Sequence, residues 1–204
     1  MNTRWPDRSP ASTAAPVWGA LLAGLMLALS APAAWAQEND DRPRFKVIEA
    51  STRLVDEVFF LDARIAFDFN AEAIEALDHG VPLTVELQIE VLETRDLLWD
   101  STTATLNQYY RIEYRALVTQ YLVTNLNTGE LSSHTNLEAA LAMLGQVTEF
   151  PMLDRRLLRV GARYSARLRA RLDVESLPLP LRPMVYLKSR WGLTSEWYEW
   201  PLTP

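Results

Sequence analysis

Cysteine is absent from this 204-residue chain, which removes disulfides, thiolate metal sites, cysteine nucleophiles and a lipid-modified amino terminus together. Histidine is nearly as scarce. There are two, His79 and His134, and neither forms an H-x-H or H-x-x-x-H pair of the kind that holds a metal. Seven glycines supply no phosphate-cradling loop, and no G-x-S-x-G elbow marks a nucleophilic serine. An excess of positive charge is also missing: the net charge is −6, which excludes a generic nucleic-acid or anionic-membrane binder, although local basic patches remain open. These gaps lead us to expect no catalytic residue, no cofactor and no metal.

One long hydrophobic run is present, and it lies at the start. Arg4 and Arg8, with Asp7 between them, precede an uncharged apolar stretch from Val17 to Leu29. Ala34-Trp35-Ala36 then gives an A-x-A pattern directly before the polar stretch Gln37–Asp41. Charged head, short apolar segment and small residues at the cut are the three parts of a secretory signal. The apolar stretch falls short of the roughly 20 residues a bilayer span needs. An uncleaved anchor, with the run extended through Ala33 and Ala34, is the competing reading. We expect cleavage near Ala36, a periplasmic location and no transmembrane segment in the mature chain. Removing 36 residues leaves 168, the length of one domain, and shifts the net charge from −6 to −7.

Strand periodicity dominates the remainder. Phe59, Leu61, Ala63, Ile65, Phe67 and Phe69 alternate with more polar neighbours, as do Val85, Leu87, Ile89 and Val91. Leu106, Tyr110, Ile112 and Tyr114 repeat the pattern, and so do Tyr164, Ala166, Leu168, Ala170, Leu172 and Val174. One apolar and one charged face per strand belongs to antiparallel sheets with one side in water, and so Glu86 and Glu90 read as solvated. Shorter strands are expected at Phe45–Leu54, Gln120–Leu126, Glu130–His134 and Arg190–Trp200, with turns at Asp56-Glu57 and Asn127-Thr128-Gly129. Asn70 caps a short helix over Ala71–His79, and a Thr135–Glu138 capping box opens a second, Leu137–Leu144, that Gly145 ends. The proline-dense segment Leu177–Pro183 excludes helix and central strand. The fold expected for residues 37–204 is a mainly β, antiparallel β-sandwich of seven or eight strands with two short helices, the immunoglobulin-like arrangement being one form of it.

Arginine is unusually dense between Arg155 and Arg171. By strand parity Arg163, Arg167, Arg169 and Arg171 share one face. Such a row suits an anion, since guanidinium binds carboxylate or phosphate bidentately. The plainer expectation is that Glu86, Glu90 and Glu113 on neighbouring strands neutralise it. The aromatic segment Trp191–Pro201 reads either as a platform for sugar rings or a partner, or as a last strand with Trp191, Leu193 and Trp197 in the core and Tyr198 and Trp200 on the rim. Leu97-Leu98-Trp99 reads either as an exposed apolar loop, making Trp99 a binding candidate, or as folded back on the core.

The segments Gly80–Thr84, Tyr109–Tyr114, Leu177–Pro183 and Ser195–Pro201 make the chain resemble domain-of-unknown-function family 4390, whose members are often labelled proline-rich signal peptide proteins. The resemblance implies a Gram-negative exported protein and carries no activity, cofactor or catalytic residue. Genes of such proteins often adjoin one for a membrane sensor kinase of the nitrogen-regulation type, a hint towards envelope sensing. The expected function is an exported, non-catalytic interaction module of the cell envelope whose partner is another envelope protein. The alternative is a binder of small anions or lipids through the arginine-rich strand face.

Overall fold

Alternating side chains become strands wherever both flanking turns can be made. The computed structural model describes residues 45–95, 101–178 and 192–203. The signal segment, Leu97-Leu98-Trp99, most of the proline run and Arg190-Trp191 lie outside the described residues. Nine strands are described: β1 (Phe45–Val55), β2 (Val58–Phe67), β3 (Leu83–Thr94), β4 (Ser101–Arg115), β5 (Gln120–Asn125), β6 (Leu131–His134), β7 (Gln146–Asp154), β8 (Arg163–Leu172) and β9 (Tyr198–Leu202). Two helices, α1 (Ala71–Asp78) and α2 (Leu137–Leu144), fall where the caps place them. The strands form two antiparallel sheets, β1-β2-β7 and β6-β5-β4-β3-β8-β9.

The two inner faces share one hydrophobic core. Phe45, Phe59, Leu61 and Ile65 from the small sheet meet Val85, Leu87, Ile89, Leu168 and Trp200 from the large one. Phe45 packs edge-on to Phe67 and stacked on Phe69. Ala166 and Ala170 are small inward residues on β8, and β1 lies against this strand. Trp200 also ties the sheets together by donating its indole N–H to Thr52 Oγ1 at 3.3 Å.

Local details depart from the sequence expectation in three places. The cap of α2 is Asn136, whose Oδ1 accepts the Ala139 N–H at 2.8 Å, one residue later than the Thr135 capping box. The last strand is shorter than Arg190–Trp200, beginning at Tyr198. β7 was not expected at all, because Pro151 and a backbone kink at Glu149 break its periodicity. Both are tolerated because β7 is an edge strand. The expected turns are present: Asp56 and Glu57 both take positive φ, the signature of a two-residue type I′ hairpin, and Gly129 closes the β5–β6 turn at φ 78°.

Glu149 adopts φ 53°, a strained conformation for a residue with a side chain. Asp62 on β2 holds it there, accepting the Glu149 N–H at 2.9 Å. Arg53 on β1 then bridges the two carboxylates, at 3.2 Å to Asp62 and 2.7 Å to Glu149. The Glu149 N–H, followed by Arg53, holds the Asp62 carboxyl below the usual aspartate range. Gly145 has an ordinary φ of −74°, so it serves by its size. Its carbonyl accepts the Ile65 N–H at 2.8 Å, and an added Cβ would stand 2.2 Å from the Ile65 carbonyl oxygen.

Two expected outcomes follow from these contacts. Gly145→Ala destabilises the domain by about 2 kcal/mol in urea unfolding, since backbone rather than a flexible side chain must move; a neutral result contradicts the contact. The lowered pKa of Asp62 means its stabilisation is present above the unfolded value of about 3.9 and is lost as pH falls through the lower folded value. Asp62→Asn therefore flattens the acid limb of the urea midpoint plotted against pH, and an unchanged limb contradicts the assignment.

Candidate functional site

The outer face of the large sheet carries the arginine row. Register sets three rungs across β4, β3 and β8: Tyr109–Glu86–Arg171, Asn107–Gln88–Arg169 and Thr105–Glu90–Arg167. Because strand residues two apart share a face, Arg163 stands beyond them on the same side, opposite Thr94.

Each rung is bonded across the strands. Arg171 Nε donates to Glu86 Oε2 at 2.5 Å, and the Tyr109 hydroxyl donates to Glu86 Oε1 at 3.3 Å. Arg169 Nη2 donates to Gln88 Oε1 at 2.8 Å, while Gln88 Nε2 donates to Glu90 Oε1 at 3.0 Å. Arg167 reaches Glu90 Oε2 through Nε at 2.8 Å and Nη2 at 2.5 Å. Burial, and next the Glu86 carboxylate, push the Tyr109 hydroxyl above its ordinary range, so it stays a donor. The guanidinium carbons of Arg167 and Arg169 each sit 4.4 Å from the centre of the Trp197 ring.

This face differs from the solvated one expected. Glu86 is 2% exposed and Glu90 9%, and Thr84 and Leu92 beside them are also buried. β3 lies in the middle of the sheet, and the long side chains of its neighbours close over the carboxylates. Glu113 takes no part in the row; it pairs with Arg115 on its own strand. Trp197 and Trp200 exchange their expected places. The register sets Trp200 opposite inward Ala166 and Glu199 opposite outward Arg167, so Trp200 enters the core and Trp197 lies on the charged face. Leu193 is buried and Tyr198 packs on the core.

Other sequence candidates are dispersed. Trp99 lies outside the described residues. Arg155 lies 3.5 Å from Glu57, and Arg159 pairs with Glu93, both at the molecular surface. His79 Nδ1 lies 2.7 Å from the Glu75 carbonyl oxygen. His134 Nε2 lies 3.0 Å from Ser132 Oγ, a serine–histidine contact that sequence spacing alone did not single out. Among the described residues no carboxylate contacts that imidazole. An open groove of about 510 Å³ lies over one end of the paired strands β8 and β9, with Arg163, Ser165, Glu199 and Pro201 in its lining. A more apolar one of about 400 Å³ lies between β2 and the helices, lined by Phe67, Ile74, Leu137 and Leu141. Among the described residues no group of three acidic or histidine side chains is placed to hold a metal.

Arg171→Ala strands the Glu86 carboxylate with the Tyr109 hydroxyl alone. The expected loss is about 2 kcal/mol in urea unfolding, less than for a fully buried pair because Arg171 is half exposed. Glu86→Leu in the same background recovers most of it; an Arg171→Ala variant as stable as the parent contradicts the pairing.

Comparisons with known proteins bear on identity rather than chemistry. No curated protein and no solved structure matches the chain. A family model matches residues 42–201, spanning both sheets and nearly the whole compact unit Arg42–Pro204. The chain belongs to the family described as Domain of unknown function (DUF4390).

Proposed function

We propose that this protein is an exported, non-catalytic interaction module of the bacterial cell envelope, working in the periplasm and engaging another envelope protein. The observation that carries this reading is where the molecule places its exposed apolar side chains. Most of them sit in or beside strand connections: Leu117 and Val118 between β4 and β5, Leu126 and Leu131 around the β5–β6 turn, Leu157 and Val160 between β7 and β8, and Val55 at the end of β1, whereas Ile48 lies within β1 and Ile74 within α1. Arg167, Arg169 and Arg171, by contrast, already bond to Glu90, Gln88 and Glu86, which weakens the case for the row as an anion site. The secretory pattern ending at Ala36 supports export. A sensor-kinase ectodomain is the partner class that the family resemblance favours.

Because the chain has no cysteine, single cysteines introduced at Leu117, Leu126 and Leu157 give unambiguous cross-linking positions. In intact cells a discrete protein adduct is expected from at least one of them and none from Glu199→Cys beside the arginine row. Uniform or absent adducts contradict the reading. An active-site serine probe is expected to leave Ser132 unmodified, and stoichiometric labelling there would instead favour a hydrolase. If phosphate or an anionic lipid headgroup binds the domain and Arg169→Glu with Arg171→Glu abolishes that binding, the anion-site alternative replaces this one.

A further inference from the structure

β3 and β4 part company at the Leu83–Ile112 pair, the first of β3. β4 continues as Glu113, Tyr114 and Arg115, and these residues pair with Leu122, Tyr121 and Gln120 of β5. The β4–β5 hairpin thus projects beyond β3 by three residues, or about 10 Å at the usual strand rise. Its tip, Ala116-Leu117-Val118-Thr119, bears no charge. Leu117 is 103% exposed, clear of the domain, and Val118 is 58% exposed. Tyr114 and Tyr121 pack together at the base of the projection with ring centres 4.8 Å apart and planes tilted by 38°, both half-buried. Arg111 and Arg115 are exposed on the same hairpin.

We infer that this hairpin is a membrane-contacting finger whose tip enters the interfacial layer of a phospholipid bilayer. An apolar tip inserts about 5–10 Å into that layer, and tyrosine rings settle at headgroup depth. The projection has both features, Tyr114 standing three residues before Leu117 and Tyr121 three residues after Val118. At this hairpin a protein socket fits less well, which leaves the protein contact proposed above to the exposed groups at the β5–β6 turn and between β7 and β8. A stable protein interface takes about 800 Å² from each partner, whereas the tip itself offers two large apolar side chains, Leu117 and Val118. Leu126 and Leu131 flank a different turn, and Leu157 and Val160 lie at the opposite end of β3, where Thr94 meets Arg163. A fluid bilayer needs no matching footprint. The base of the finger carries both signs, since Tyr121 donates to Asp78 at 3.4 Å and Glu75 stands on the same helix. Head groups bearing an amine as well as a phosphate therefore suit it better than a strongly anionic surface.

This inference rests on placing the folded unit outside the cytoplasm beside a membrane, as proposed above, but not on a protein partner. The test uses the full chain, labelled through Leu117→Cys or Leu157→Cys with an environment-sensitive fluorophore, and vesicles of phosphatidylethanolamine and phosphatidylglycerol. The Leu157 site controls for any attachment by residues 17–29. A blue shift is expected at position 117 and none at 157. Adding Val118→Asp to the position-117 variant lowers the apparent vesicle affinity about tenfold or more, as expected for withdrawing a buried apolar side chain. No shift at 117, or equal shifts at both sites, overturns the inference. A protein adduct at 117 without a vesicle shift overturns it too while upholding the proposed function. A vesicle shift with no protein adduct anywhere upholds the finger and removes the partner.

Discussion

Strand β3 must bury both of its faces, and most of the structure follows from how that is achieved. Its inward residues, Val85, Leu87, Ile89 and Val91, meet the small sheet and require only complementary apolar volume. Its outward residues include two carboxylates that are almost wholly withdrawn from water, Glu86 and Glu90. A buried carboxylate without a partner is costly, and removing one member of such a pair is among the more damaging single changes available. β8 supplies the partners at matching register, which fixes the alignment of the two longest-range neighbours in the sheet. A one-residue slip would turn Arg167, Arg169 and Arg171 inward and expose Ala166, Leu168 and Ala170. The charges therefore specify pairing as much as they stabilise it.

Trp197 extends the same network to the end of the described chain. Leu193, Thr194 and Ser195 run beside β8, with the Ser195 N–H bonded to the Ala170 carbonyl and its Oγ accepting the Ala170 N–H. Strand assignment resumes only at Tyr198. Across the interruption at Glu196 and Trp197 the indole turns to the charged face, where two guanidiniums lie against its ring. Contacts between guanidinium and an aromatic face contribute roughly 0.5–2 kcal/mol each, depending on desolvation. The arginines thus serve the last strand as well as the carboxylates of β3.

Period-2 alternation made β2, β3, β4 and β8 legible because each sets an apolar face against one core, interrupted in β4 by Gln108. Turn chemistry at Asp56-Glu57 and at Asn127–Gly129 was equally local, and so was the Asn70 cap. β7 was hidden since its irregularities, Pro151 and Glu149, are tolerated only through an edge position and the Asp62 contact, neither of which sequence reveals. The parity of the arginine row was visible, and so was pairing with glutamates as one option. The depth of burial was not, because it depends on β3 being central, a property of strand order. The exchange between Trp197 and Trp200 had a different source: the interruption before β9 shifts which residues face inward.

The outermost strands differ in how they meet solvent. β1 is interrupted by a register shift between Val47 and Glu49, β7 by two shifts and Pro151, and β9 by Pro201, which has no N–H to offer. Such breaks stop another chain from adding itself to a sheet. β6, only four residues long, has none of them, and its first residue, Leu131, is exposed. Unwanted strand addition or exchange between copies of this molecule would accordingly begin at β6, the described edge without a register break or a proline.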